Sequence, residues 1–298
     1  MTKLEYLEYK LVAMESAMKE TDQKLSGAIN QLSQKIEHNQ IQSYKSERTA
    51  NANNEQLKKD IQKLASKEDL ALIKVNPDVY LRSISSPSCV LVSSNKSGKY
   101  LIQPTEYDEP FLGYCEQTTF GGGWLVIQYR YDGSIDFYRN WTEYRNGFGS
   151  IEGEFWLGLE HLHRFTSARS HELLVELKDF SGNYVYAQYD EFGIGSEELQ
   201  YPITKLGTYT GTAGDSLRDN QDEMFSTMDR DNDGSPSESC AAEREGAWWY
   251  LQCTFSNLNG VYTNSEDPKS MNWYHYKTAN IGLAYSRMLI RPNIRGAL

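Results

Sequence analysis

The sequence predicts an α+β fold: a globular domain of mixed sheet and long loops over residues 80–296, preceded by an α-helical coiled coil over residues 1–76. Three observations predict it. The 298 residues contain 22 Gly, 8 Pro, 6 Trp and 4 Cys, yet the first 78 hold only Gly27 and Pro77 and no Trp or Cys. Apolar residues in that first stretch recur at alternating spacings of three and four. Beyond Pro77, short β-branched and aromatic runs are punctuated by glycine.

Leu4, Leu7, Leu11, Met14, Met18, Thr21 and Leu25 form a seam of 3.5-residue period. Continuing that register would place Lys35 inside, whereas a shift of one turn keeps Leu25, Ile29, Leu32 and Ile36 on one stripe, so the seam carries a stutter near Leu25. Between Asn39 and Gln56 only Ile41 and Tyr44 are large and apolar, and Leu57, Ile61 and Leu64 then restore the spacing. The middle is either a weak polar stretch of coiled coil or a flexible break. A narrow stripe cannot be buried against itself in one straight helix, so residues 1–76 must pair with other chains or fold back at the polar middle, and the expectation is a homo-oligomer. The competing reading is a solvated helix or a disordered stalk. Pro77, after Asn76, ends the helix.

Charge divides at the same place. Residues 1–78 hold 12 basic and 12 acidic residues, and the remainder holds 18 and 29, which is the whole net charge of −11. An acidic domain without a Lys or Arg cluster argues against nucleic acid as a partner. A divalent cation, or a neutral or cationic ligand, suits it better. No run of eighteen apolar residues occurs, so no membrane span is expected.

Cys89, Cys115, Cys240 and Cys253 are an even set without paired C-x-x-C spacing, which reads as two disulfides and an oxidising, extracellular compartment. The sequons at Asn95 and Asn140 fit secretion. Met1-Thr-Lys-Leu-Glu-Tyr-Leu-Glu is charged and heptad-like, not a secretory leader. The expectation is therefore a fragment, a misplaced start, or a chain whose leader has been removed.

In the globular part, the runs after Gly121, from Leu173 and from Tyr184 read as strands, and Asn140–Arg145 and Gly158–Phe165 as short helices. Phe120-Gly-Gly-Gly-Trp-Leu-Val-Ile-Gln, Asp132 to Gly149, Gly153-Glu-Phe-Trp-Leu-Gly-Leu-Glu, Gly211 to Leu217, Trp248-Trp-Tyr ahead of Cys253 and Ser256-Asn-Leu-Asn-Gly follow in order, with Met288-Leu-Ile-Arg-Pro at the end. Together they resemble the fibrinogen C-terminal domain over about residues 80–295. A coiled coil ahead of such a domain is the organisation of fibrinogen-related proteins, ficolin-, tachylectin- and angiopoietin-like, here of invertebrate immune type. The resemblance implies that Cys89 pairs with Cys115 and Cys240 with Cys253.

Asp229-Arg-Asp231-Asn-Asp233-Gly places three carboxylates at alternate positions, where they would repel one another without a cation. The spacing begins like an EF-hand loop, but Cys240 stands where a bidentate Glu is needed. The resemblance implies calcium (Ca2+) held by Asp231 and Asp233, with carbonyls of Ser235 and Ser237 and with Asp229 in support. It also implies a ligand pocket beside the fourth cysteine, formed by Arg244, Trp249, Gln252, Cys253 and Thr254, with a cis peptide at Gln252–Cys253. The match is incomplete. Thr254 replaces the histidine of acetyl-binding members, and Arg244 at the rim suits an anionic group.

Enzyme motifs are missing. His161-Leu-His163 is half a metal site with no third ligand at a helpful spacing, Gly207 to Gly214 lacks the Lys-Ser/Thr of a phosphate loop, and no Gly-x-Ser-x-Gly or His-Glu-x-x-His occurs. The expected function is that of a secreted, calcium-binding pattern-recognition protein, lectin-like, binding glycans or microbial surfaces through a multimerised head. The alternative is a receptor- or matrix-binding ligand of angiopoietin-like type with no sugar binding.

Overall fold

A computed structural model of the protein describes Leu81 and residues 84–293, which belong to the unit Asp78–Leu298. The coiled coil expected over residues 1–76 lies outside the described residues. The described residues form twelve strands: β1 (Gly98–Ile102), β2 (Phe111–Glu116), β3 (Trp124–Arg130), β4 (Phe148–Gly149), β5 (Phe155–Trp156), β6 (His171–Asp179), β7 (Tyr184–Ile194), β8 (Ile203–Leu206), β9 (Tyr209–Gly211), β10 (Ser256–Asn257), β11 (Asn272–Trp273) and β12 (Leu283–Pro292); the three runs read as strands in the sequence are β3, β6 and β7. Ten of them make one sheet along the path β1-β2-β3-β12-β6-β7-β8, with β9 on β7, β5 on β3 and β4 on β5; β10 and β11 pair separately. Every one of these pairings is antiparallel. The last strand in sequence thus fills the middle of the sheet, where Arg287 faces Tyr129 of β3 and Glu176 of β6.

Both expected helices form. In α1 (Trp141–Asn146), the Asn140 side chain accepts from the Glu143 N–H at 3.0 Å and the Glu143 carboxylate accepts from the Asn140 N–H at 3.2 Å, a reciprocal cap of two orphan donors. In α2 (Leu159–Ala168), Leu159, Leu162, Phe165 and Thr166 are buried at helical spacing, and the helix packs on β7 and α1. His161 and His163 serve this packing: His161 lies 4.3 Å from the Phe111 ring, and His163 Nδ1 is 3.1 Å from the Ile194 carbonyl. A short third helix, α3 (Cys240–Glu243), starts at Ser239.

Most of residues 212–282 lies outside sheet or helix, and aromatic packing and side-chain amides fix it. Phe225, with no exposed surface, sits 5.2 Å from Tyr144 of α1, 6.2 Å from Trp156 of β5 and 5.0 Å from Trp249. Asn257 donates to the Arg244 carbonyl at 3.2 Å and accepts from the Tyr250 hydroxyl at 2.8 Å, while Asn259 donates to the Ala247 carbonyl at 3.1 Å. Arg130, at the end of β3, donates to the carbonyls of Leu258 and Gly260 and lies over the Phe137 ring at 4.1 Å. A β-carbon at Gly246 would stand 2.7 Å from Asn257 Oδ1, so the turn before Trp248 requires glycine. Every peptide bond of the described residues is trans, Gln252–Cys253 included, contrary to the expected cis bond.

Candidate functional site

Two adjoining loops form the site: the acidic segment 229–239 and the segment 248–255 around Cys253. Both disulfides pair in sequence order, Cys89 with Cys115 and Cys240 with Cys253, with Cα separations of 5.4 and 5.2 Å. The second joins the two loops covalently. A hydrogen bond joins them again, because the Gly234 N–H donates to the Leu251 carbonyl at 2.8 Å, while the Cys240 N–H closes the acidic loop on itself by donating to Asp233 Oδ2 at 2.7 Å. A ligand on one loop is therefore mechanically coupled to the other.

The three expected calcium carboxylates divide into two groups. Asp231 and Asp233 stand together: Asp231 Oδ1 accepts from the Asp233 N–H at 3.3 Å, and Asp233 Oδ1 accepts from the Ser235 N–H at 2.8 Å. Burial pushes the Asp233 carboxyl above the usual range against the pull of the Ser235 and Cys240 N–H groups, and the neighbouring Asp231 adds to the rise. Asp231 and Asp233 are two adjacent acids, and carboxylate oxygens are the donor type that a hard divalent cation such as calcium takes. Asp229, expected in support, is turned to structural work: its Oδ1 accepts from the Trp141 N–H at the start of α1 at 2.8 Å and from the Thr227 hydroxyl at 2.7 Å. Among the described residues no cluster of three or more His, Cys, Asp and Glu is arranged to hold a metal. A cation held by these two carboxylates would need further oxygen ligands from outside the acidic side chains.

The expected pocket residues also separate. Trp249, expected as a wall, has no exposed surface; its indole N–H donates to the Tyr201 carbonyl at 2.7 Å, which makes it core. Thr254 is tied into a polar knot, its hydroxyl taking a hydrogen bond from Asn220 Nδ2 at 2.9 Å and from the Ser256 N–H at 3.1 Å. Gln252 is exposed at the tip of the turn and Cys253 is buried. Arg244, at the end of α3, is half-buried and its Nε has no hydrogen-bond partner. Sequence reasoning missed Leu251 and Phe255, which flank Cys253 with 41% and 40% of their surface exposed. Phe255 continues into an aromatic group with Tyr274 and His275, at 5.3 and 5.1 Å. A single aromatic between a cysteine and a Ser-Asn run carries no sequence signal that would mark it as surface. Of the sequons, Asn95 lies exposed ahead of β1 and Asn140 is the cap of α1.

Comparison with known proteins places this geometry. The family described as "Fibrinogen beta and gamma chains, C-terminal globular domain" matches residues 88–293. Mouse tenascin-R is 46% identical over 181 residues, 61% of this chain and 13% of that protein. Mouse fibrinogen C domain-containing protein 1 is 44% identical over 212 residues, 68% of this chain and 46% of that protein. The chain thus spans less than half the length of these curated relatives. Among solved structures, the fibrinogen-like globe domain of human ANGPTL2 is 38% identical with a TM-score of 0.67, covering 70% of this chain and 99% of that one. Lamprey fibrin D-dimer in complex with the peptide Gly-His-Arg-Pro-amide is 28% identical with a TM-score of 0.66, covering 92% and 95%.

Proposed function

The chain belongs to the family of fibrinogen C-terminal globular domains, and on that premise we propose that it is an extracellular recognition protein whose globular domain binds a protein ligand, a receptor or matrix component, as an angiopoietin-like module. The observation that carries this reading is the surface around Cys253. Leu251 and Phe255 offer apolar side chains there, while Thr254 and Asn220 spend their polar groups on each other. An exposed apolar and aromatic centre is the composition of the core of a protein interface. The lamprey relative, solved with a peptide ligand, supports the same class of partner.

The test is capture of a cell-surface or matrix protein by the full chain. Binding is expected to survive enzymatic deglycosylation of the surface and excess acetylated sugar, and Phe255→Ala is expected to weaken it by about tenfold or more, the effect of losing an aromatic anchor. Binding lost on deglycosylation would refute the reading. It would favour the second one, a lectin-like protein for glycans or microbial surfaces, for which the half-buried Arg244 beside Cys253's loop would supply the positive charge suited to an acidic sugar.

Calcium (Ca2+) would be held by Asp231 and Asp233 with carbonyls of Ser235 and Ser237, and would fix the loop that Cys240 ties to Cys253. Calcium is expected to raise the thermal midpoint of the wild-type chain and to leave unchanged that of the variant carrying both Asp231→Ala and Asp233→Ala. An equal calcium response in the two chains would refute the site. Two disulfides and the sequons at Asn95 and Asn140 support a secreted protein, and residues 1–76 would gather several heads into one homo-oligomer.

A further inference from the structure

The tripeptide Tyr-Asp-Glu occurs twice, at Tyr107-Asp108-Glu109 and at Tyr189-Asp190-Glu191, and the fold treats the two copies oppositely. Tyr189 has no exposed surface, and its hydroxyl donates to Asp215. Tyr107 is 86% exposed, the most exposed of the large apolar and aromatic side chains described. It stands at the tip of a tight turn between β1 and β2. Asp108 pins that turn: its Oδ2 accepts from the Thr105 N–H at 3.0 Å and the Thr105 hydroxyl at 2.6 Å, and its Oδ1 accepts from Arg164 at 2.9 Å. Gln103 holds the far side through the Asp108 carbonyl at 2.8 Å. The turn is therefore fixed while the phenol projects, with the exposed residues Glu106 and Glu109 on either side of it.

We propose that Tyr107 is a tyrosine-sulfation site. This rests on the extracellular reading above, because sulfuryl transfer to tyrosine takes place in the secretory pathway. A projecting phenol between acidic side chains is the acceptor that a transferase with a basic groove selects, since opposite potentials steer and orient the encounter. In the reaction, Tyr107 Oη attacks the sulfur of a nucleotide phosphosulfate donor. The bond from Oη to sulfur forms, and the bond from sulfur to the bridging oxygen of the donor breaks. The phenol proton passes to a base of the transferase, the nucleotide phosphate leaves, and no atom is oxidised or reduced. The product carries a fixed negative charge on a turn already flanked by acids.

The test uses the full disulfide-bonded chain, a tyrosylprotein sulfotransferase and phosphoadenylyl sulfate carrying radioactive sulfur, followed by proteolysis and peptide mapping. Label is expected in the peptide containing Tyr107 and is expected to vanish in Tyr107→Phe, a change that a side chain this exposed tolerates. Label at Tyr189 requires opening of the core, so it is expected below about one part in 10³ while the chain is folded, and to appear once the chain is reduced and denatured. An unlabelled wild-type chain, or equal label in Tyr107→Phe, would overturn the proposal. Expression with a secretion leader separates the two claims. Retention inside the cell would count against the extracellular reading and leave the purified reaction to decide the acceptor.

Discussion

Replacing Arg287 by methionine will destabilise the globular unit by about 3–5 kcal/mol, the range for removing one partner of a buried ion pair. Arg287 lies mid-sheet on β12 with only 12% of its side chain exposed. It reaches Glu176 of β6 at 2.6 Å and Glu116 of β2 at 3.1 Å, whose side chains are 5% and 9% exposed. Tyr184 closes the far side of Glu176 with a hydrogen bond of 2.7 Å. Methionine keeps roughly the length of the side chain but leaves the two carboxylates that converge on Arg287 without its cation. Burial alone would raise the Glu116 carboxyl; hydrogen bonds from the Thr118 hydroxyl and N–H and from Ser97, with the Arg287 charge, overcome that and hold it down to about 2. A carboxyl lowered in the folded state stabilises above its unfolded value near 4.5, and that stability is lost as pH falls toward 2. The deficit of the variant should therefore be full at neutral pH and shrink between those limits. Denaturant titration across this range checks both points. A loss below about 1 kcal/mol at neutral pH would mean that the face behaves as a wet surface and the pairing is incidental.

How much of this was legible in the sequence depends on the range of the interaction concerned. Local pattern placed α1, α2 and the central strands, since the Asn140–Arg145 and Gly158–Phe165 segments and the apolar run after Gly121 are signals a few residues long. Ser256-Asn-Leu-Asn-Gly260 was recognisable as a signature, but its reason lies in carbonyls about a dozen residues back, at Arg244 and Ala247, which Asn257 and Asn259 hold. The acidic loop was legible as a cluster and not in its division of labour. Alternate spacing treats Asp229 and Asp231 alike, whereas in the fold Asp229 accepts from the Trp141 N–H, 88 residues away, and from the Thr227 hydroxyl. Trp249 and Phe255 show the same limit from the other side. Both are aromatics near Cys253, and which one is core follows from Phe225 and Tyr201, neither of which is near in sequence.

Deleting residues 1–78 should leave the affinity of one head for its ligand almost unchanged while lowering retention on a ligand-coated surface by about 10² to 10⁴, the gain that linked sites draw from effective concentration. The expected independence of the head has a physical basis. Its sheet is built around β12, the last of the described strands, both disulfides fall within it, and its extent matches a human globe domain that it covers to 99%. The charge distribution supports the role of the removed segment. A stretch with 12 basic and 12 acidic residues can associate with copies of itself, whereas copies of a segment carrying the −11 of the remainder would repel. Titration of the truncated and full chains against soluble ligand gives the single-site affinity, and wash-off from a dense ligand surface gives the avidity. Equal retention of the two chains would show that a single head suffices and that residues 1–76 serve some other purpose. Loss of both quantities together would show that the segment supports the head itself.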